Sequence, residues 1–470
     1  MSESIGNDAG VKSTFSAHST LAAIGIKATQ IGLFVPVAER VKIAQKVIKY
    51  TPIEKLQDAY LNILAGGQGL VEINKRIRSD WGLQKAFGRV ACAEQSVVQD
   101  TLDACTAQNV GQMHEAMDVI YRQHSRGYGH DYQQSWQLLD VDLTGRPCGQ
   151  KAAFASKGYF CGKRSRQGRQ VGYVLATHYQ EIVAERLFEG KMQLSLVLEG
   201  LIEATEKTLD LTEEKRQRTI VRVDAGGGSV EAVNWLLGQG YRVIGKDYSA
   251  ARVQKLVKDV HEWMADPAEP GREVSWAPSP IGLYCRAVQR IAVRCHKKNG
   301  QYGLGVILSD LAPVEVLLLT GQDPQRASDM KTVMLAYVYL YDQRGGGVET
   351  EIKGDKQGLG TGKRNKKRFE AQQMLLQLEA LAHNTLIWAR GWLTPECPRI
   401  AAYGIQRLVR DVFTANGRII LDDAAEWSKD HQANRVVHII LNSLDPLARA
   451  LCASLATLLK GHVAITLGET

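Results

Sequence analysis

Apolar and polar positions change rhythm twice along this 470-residue chain. From about residue 36 to 130, apolar residues recur every three or four positions, as in VAERVKIAQKVIKY (37–50) and PIEKLQDAYLNILAGG (52–67). That spacing gathers them on one side of a helix and predicts an all-helical region. Gly66 and Gly67 stand where a helix would be capped at its C-terminus. In GLQKAFGRVACAEQSVVQDTLDAC (82–105) the pattern predicts a short helix, a break and a new helix starting at Ser96. Ser96 and Gln99 have the spacing of a capping box. Such a corner belongs either to a DNA-binding helix-turn-helix or to a plain helical bundle. In the first case Gln95, Gln99 and Asp100 lie at the exposed start of the recognition helix. Residues 1–35, small and polar, read as a flexible N-terminus.

From residue 135 the rhythm becomes that of alternating strands and helices. SWQLLDVDLTG (135–145) and GRQVGYVLATHY (168–179) read as strands, and MQLSLVLEGLIEATEKTLDL (192–211) as a helix. RTIVRVD (218–224) reads as a buried strand running into AGGGS, followed by a helix at 230–240 and a strand at 241–249. This order signals an α/β layer. Residues 266–325 turn to short strand-like runs, with KKNG (297–300) as a hairpin turn, and predict a β-rich insertion. AYVYLYDQ (336–343) is strand-like, 349–391 strongly helical. GRIILDD and RVVHIIL (from 417 and 435) suggest a terminal hairpin before the helix DPLARALCASLATLLK (445–460).

Composition narrows the class. With 44% hydrophobic residues the chain is long enough for two or three cored units. A net charge of +8 favours a polyanionic partner. The eight cysteines form no CxxC, which argues against a zinc site and fits a reducing compartment. No basic leader with an apolar core and no uninterrupted apolar run of about 18 residues is present, so no membrane span is expected.

Three acidic positions sit at element boundaries. Asp140 and Asp142 alternate with Leu139, Val141 and Leu143 and so share one strand face, where they repel unless a cation or solvent intervenes. An exposed strand end with a turn-forming Asp explains them equally. Asp224 ends its strand before a loop into a helix, the place where α/β folds carry function. Its alternatives are N-capping near Ser229 and a dinucleotide loop. AGGGS lacks the G-x-G-x-x-G spacing, however, and the next strand ends in Lys246 and Asp247. Glu349 lies in RGGGVETEIKGDK (344–356), where glycines precede a helix carrying Lys353 and Lys356. A solvated Glu–Lys first turn explains that stretch on its own. Brought together, three carboxylates would suit hard divalent cations and phosphodiester chemistry.

DVDLTG, VRVDAGGGS and YDQRGGGVETEIKGDKQGL together resemble the motifs of bacterial insertion-sequence transposases of the DDE class. The last resembles the family's Tyr, Arg, Glu, Lys signature, supplied by Tyr341, Arg344, Glu349 and Lys356, with one more residue between Arg344 and Glu349 than is usual. The resemblance implies an α/β fold: a ribonuclease-H-like core (131–265 and 326–395) interrupted by a β-rich insertion (266–325). A helical DNA-binding domain (36–130) precedes it and a C-terminal region (396–470) follows. It implies Asp142, in preference to Asp140, with Asp224 and Glu349 as catalytic and metal-holding carboxylates, and Mg²⁺, or alternatively Mn²⁺, as cofactor. Arg344, Lys353, Lys356 and Tyr341 would meet DNA, as would Trp276 in the insertion and Gln95, Ser96 and Gln99 in the helices. The basic run GKRNKKRFE (362–370) would extend the cationic surface. Expected partners are the element's terminal inverted repeats and target DNA, bound by a homodimer. The expected location is cytoplasmic and nucleoid-associated, with no membrane. The rival expectations are a nuclease that cuts without rejoining, a catalytically silent DNA-binding protein, and a nucleotide-dependent enzyme.

Overall fold

The structure is a computed structural model and describes residues 11–160, 162–278, 282–297, 300–422 and 435–469. The chain forms two compact units. The first comprises Met1–His124, Lys151–Ala153 and Lys353–Thr470, and the second Ser125–Gln150 and Phe154–Ile352.

The first unit opens with β1 (Val11–Ser16) and α1 (Ser19–Gln30), then α2 (Val35–Arg40), α3 (Pro52–Leu64), α4 (Trp81–Ala86), α5 (Gln95–Asp103) and α6 (Ala107–His124). The expected flexible N-terminus is thus ordered from residue 11, with Leu21 and Ile24 of α1 fully buried; residues 1–10 lie outside the described residues. The helix expected over 37–50 stops at Arg40. Beyond it Val41 and Ile43 are buried while Lys42 and Ala44 are exposed, the two-residue period of an extended segment. α3 begins where Thr51 and Glu54 cap each other reciprocally. It ends before Gly66 at φ +72°, as the glycines led one to expect. The Ser96–Gln99 capping box does not form: α5 starts a residue earlier, behind Glu94, with no side-chain cap.

The second unit holds a ten-stranded sheet. Its strands are β2 (Gln137–Pro147), β3 (Ser156–Phe160), β4 (Lys163–Ala176), β5 (Glu181–Phe188), β6 (Thr219–Val223), β7 (Arg242–Lys246), β8 (Met264–Ala265), β9 (Arg272–Trp276), β10 (Gln289–His296) and β11 (Tyr302–Ser309). The order runs β5–β4–β2–β6–β7–β11–β10–β9–β8, with β3 on the other stretch of β4. β2, β6 and β7 are parallel and the remaining pairs antiparallel. Parallel strands covered on both faces read as unbroken apolar runs, which is why TIVRV was legible. The β-rich stretch expected as an insertion continues this sheet, because β11 pairs with β7 from Ile307–Lys246 to Ser309–Ile244. Of the expected KKNG turn, Lys298 and Asn299 lie outside the described residues.

Helices α7 (Leu194–Leu209), α8 (Glu213–Gln217), α9 (Val230–Gly238), α10 (Ala250–Lys258) and α11 (Pro313–Leu319) connect or follow the strands. The strand-like AYVYLYDQ is instead the heart of α12 (Met330–Arg344). Val333, Tyr337, Leu340 and Tyr341 of α12 share a core with Leu138, Ile220, Ile244, Ile291 and Ile307 of the sheet. Tertiary burial, with Asp329 capping the helix start, overrides the β-propensity of Tyr and Val here.

The chain returns to the first unit through α13 (Thr350–Gly358), α14 (Phe369–Leu393) and α15 (Pro446–Leu458), with β12 (Gly417–Asp422), β13 (Arg435–Asn442) and β14 (Ala464–Gly468). β1, β12 and β13 are antiparallel, which bears out the terminal hairpin, and β14 joins β13 in parallel. One core joins Leu56 and Leu61 of α3 with Leu375 and Leu378 of α14 and Ile419 and Ile439 of the sheet. The N-terminal helices are therefore not a unit of their own; they share a core with the C-terminal quarter. Likewise residues 326–395 divide between the two units. Among the described residues no helix is long and apolar enough to cross a membrane.

Candidate active site

Asp142 lies midway along β2, where its parallel pairing with β6 ends, and Asp224 directly follows β6. The last register pairs of β2 and β6 are Asp140 with Arg222 and Val141 with Val223, so Asp142 and Asp224 come next on the two strands. Asp140 is fully buried and bound by the guanidinium of Arg222 at 2.6 Å, whereas Asp142 keeps 16% of its side chain exposed. This separates two aspartates that strand alternation places on one face. Past Asp224 the chain turns sharply: Asp224 Oδ1 accepts from Gly226 N at 2.8 Å, and Ser229, not Asp224, caps α9. Gly228 is obligatory in this turn, since a Cβ there would lie 1.6 Å from the carbonyl oxygen of Lys246.

Glu349 comes from the segment between α12 and α13. Gly345–Glu349 forms a π-type turn in which Gly347 leaves helical geometry at φ −89° and ψ −112°. A π-turn accommodates one residue more than an α-turn, which sets Glu349 back over Arg344. Arg344 lies beneath, 3% exposed. It reaches Asp142 Oδ1 at 3.1 Å, Glu349 Oε1 at 3.0 Å and the carbonyl of Val141 at 3.1 Å. Its Nε is buried without a hydrogen-bond partner.

Electrostatics tie the group together. Burial pushes the Asp142 carboxyl up to about 6; the nearby charges of Asp224 and Glu349 raise it too, against the opposing pull of Arg344. Burial disfavours the charge of Arg344, but Asp142 and Asp224 more than restore it. Tyr341 is raised, first by burial, with Lys246 Nζ 4.9 Å from its ring centroid. Beside Ala225 opens a cavity of about 320 Å³ lined by Lys246, Tyr248, Lys297 and Tyr302.

The three oxygen-donor side chains are of the kind that hard divalent cations take. Yet among the described residues no three His, Cys, Asp or Glu side chains stand together as a ready metal cage. The positive charge between Asp142 and Glu349 is supplied by Arg344.

The structure thus brings Asp142, Asp224, Tyr341, Arg344 and Glu349 together. Trp276 sits elsewhere in the second unit, its ring edge-on to Tyr337 at 6.1 Å and its Nε1 donating to the carbonyl of Met330 at 3.1 Å. The other expected DNA contacts belong to the first unit. Ser96 is exposed, and Gln95 is half-buried with its backbone N–H on Asn74. Gln99 is half-buried, donating to Asp103 at 2.8 Å and accepting from Lys366 at 2.6 Å. Lys353 is exposed and Lys356 half-buried. The basic run 362–370 is not all surface. Arg364 is buried against Glu379 and the carbonyls of Gly67 and Leu359, and Lys366 is buried on Gln99. Backbone carbonyls left open past helix ends need donors, and Arg364 supplies them at Gly67 and Leu359. Sequence reasoning passed over Arg222 and Gly347; the signal was an Arg two residues before Asp224, matching an Asp two residues before Asp142.

No family model and no curated protein matches the chain. Among solved structures it is similar to piggyBac transposase, seen by cryo-EM in a synaptic complex with hairpin DNA. The likeness covers 83% of this chain and 84% of that one at 12% identity, with a TM-score of 0.42, and at that level fixes neither family nor function.

Proposed function

We propose that this chain is a DNA transposase of the DDE kind, cleaving phosphodiesters at element ends and joining the freed ends to target DNA. The observation that carries the reading is the buried Arg344, which bridges Asp142 of β2 and Glu349 of the glycine turn, while the charge of Asp224, just past the neighbouring β6, acts on both Asp142 and Arg344. The path β5–β4–β2–β6–β7 is then the ribonuclease-H-like core. Asp142, Asp224 and Glu349 would hold Mg²⁺, with Mn²⁺ as the alternative. When bound, the metal supplies Lewis-acid activation of the attacking oxygen and charge stabilisation at the leaving one.

The chain's own groups bind and orient. Arg344 is a permanent cation that fixes the Asp142 carboxylate and Glu349, and it suits the planar recognition of a phosphate. Lys246, held over the Tyr341 ring, offers a positive charge to a DNA backbone. Lys353, Lys356, Trp276, Gln95, Ser96 and Gln99 remain assigned to double-stranded DNA, the first two to phosphates. A homodimer would hold two element ends.

A second reading, a DNA-binding protein without cleavage, is favoured by one observation: Glu349 is engaged by Arg344, and among the described residues no ready cage is present. One experiment separates the two. The purified chain is incubated with a labelled duplex taken from the DNA flanking its gene, with and without Mg²⁺. Mg²⁺-dependent 3′-hydroxyl ends that then join a second duplex support the transposase. Binding without cleavage supports the silent protein.

A further inference from the structure

Beneath Asp142 and Asp224 lies an ion pair that the proposed chemistry does not use. Asp140 and Arg222 are register partners across β2 and β6, and both side chains are fully buried. Arg222 grips Asp140 with two parallel bonds, Nε to Oδ1 at 2.6 Å and Nη2 to Oδ2 at 2.8 Å. Its Nη1 donates to the carbonyl of Leu340 in α12 at 2.8 Å. Asp142 and Asp224 lie two residues farther along the same strands, hence on the same sheet face.

The third carboxylate rests on the same pair. A Cβ at Gly347 would come 2.4 Å from Asp140 Oδ2, 3.0 Å from Thr177 Cγ2 and 3.5 Å from Arg222 Nη2. The turn that carries Glu349 therefore packs bare backbone onto the Asp140–Arg222 pair. Each segment bearing a carboxylate of the site, β2, β6 and the turn after α12, touches this one interaction.

An apolar pair could fill the space but would not choose a register. A one-residue slip of β2 against β6 would carry Asp142 to the opposite face. A two-bond guanidinium–carboxylate fork forms in one register only. Buried ion pairs contribute little net stability against apolar replacements, so their use here is better explained by what they specify.

We infer that Asp140 and Arg222 form a positioning pair that sets β2, β6 and the Gly347 turn in the single register at which Asp142, Asp224 and Glu349 meet. The inference rests on the reading of those three as the working carboxylates. Arg222→Lys keeps the charge but gives up the fork and the bond to Leu340. The variant is expected to fold with a cooperative melt and to bind the flanking duplex with an unchanged Kd. Mn²⁺ titrated into its DNA complex and followed by electron paramagnetic resonance should bind about 10- to 100-fold more weakly. kcat should fall by a similar factor while KM for DNA stays put. Gly347→Ala leaves both charges in place and should show the same split; it carries the test if Arg222→Lys does not fold. Wild-type Mn²⁺ affinity and kcat in a folded variant would overturn the positioning role. Asp224→Asn is measured alongside. If it cleaves like wild type, the carboxylate reading falls and the positioning role with it. If it is inactive while Arg222→Lys and Gly347→Ala behave as wild type, only the positioning role falls.

Discussion

Arg222 and Arg344 are both buried in the second unit, and they are bonded in opposite ways. Arg222 has each of its three nitrogens bonded to a fully buried carboxylate or to a helix carbonyl. Arg344 bonds Asp142, Glu349 and one carbonyl, leaves Nε unpartnered, and has in Glu349 a partner whose side chain is 60% exposed. In the first unit Arg89 lies between the two: it is bonded by the fully buried Asp58, by Glu54, whose side chain is 34% exposed, and by the carbonyl of Ala91. A buried cation whose bonds are saturated inside the protein is structural. One whose partners stay open to solvent keeps its charge available for something that arrives. That difference sets the Asp142–Arg344–Glu349 group apart from the Asp140–Arg222 pair beneath it.

The largest effects should come from the open group. Asp142→Asn, Asp224→Asn and Glu349→Gln should each lower DNA cleavage by about 1,000-fold or more, read from labelled-duplex assays at fixed Mg²⁺. Residual cleavage within a few-fold of wild type in any of them would dissolve the contrast. Next comes the closed pair. Asp140→Ala strands a buried guanidinium and should destabilise the protein by about 3–5 kcal/mol in denaturant titration, whereas replacing both members by apolar residues should cost far less.

The open group should also show itself in stability. The Asp142 carboxyl sits near 6 in the folded chain, first because of burial, above the ordinary carboxylate value it has when unfolded. A raised carboxyl pKa means that ionising the group costs the folded state. Metal-free wild type should therefore lose stability as pH rises from about 4 through 6. Asp142→Asn lacks that loss and should be more stable than wild type at pH 7 by about 1–3 kcal/mol, with the gain vanishing near pH 4. Thermal melts across that range in chelator check the sign. The smallest effect belongs to Arg344→Lys, which keeps charge but not the bridge. It should cost about tenfold in cleavage with little change in melting temperature.

Much of the second unit was legible because its strands announce themselves twice, by apolar runs and by Asp or Gly where they end. TIVRVD into AGGGS is the clearest instance. α12 was misread because Tyr and Val favour strands locally, while the core that makes it a helix comes from β-strands far away in sequence. The stretch after Arg40 was misread because apolar residues in a ten-residue window fit a helical period, while burial follows a period of two. At the site, the motif chose Asp142 over Asp140, and the physical ground for that choice, Arg222, lies on another strand. No local pattern could reveal that Arg344 would turn inward to both Asp142 and Glu349, since that depends on the π-turn at Gly345–Glu349.

The most direct measurement is a crystal structure of the chain bound to duplex DNA and Mn²⁺, with anomalous scattering recorded to locate the metal. The account predicts an anomalous peak at coordination distance, about 2.1–2.3 Å, from carboxylate oxygens of Asp142 and Asp224, with Glu349 released from Arg344 toward it. A DNA-bound chain in which Arg344 still joins Asp142 to Glu349 and Mn²⁺ lies elsewhere would contradict it.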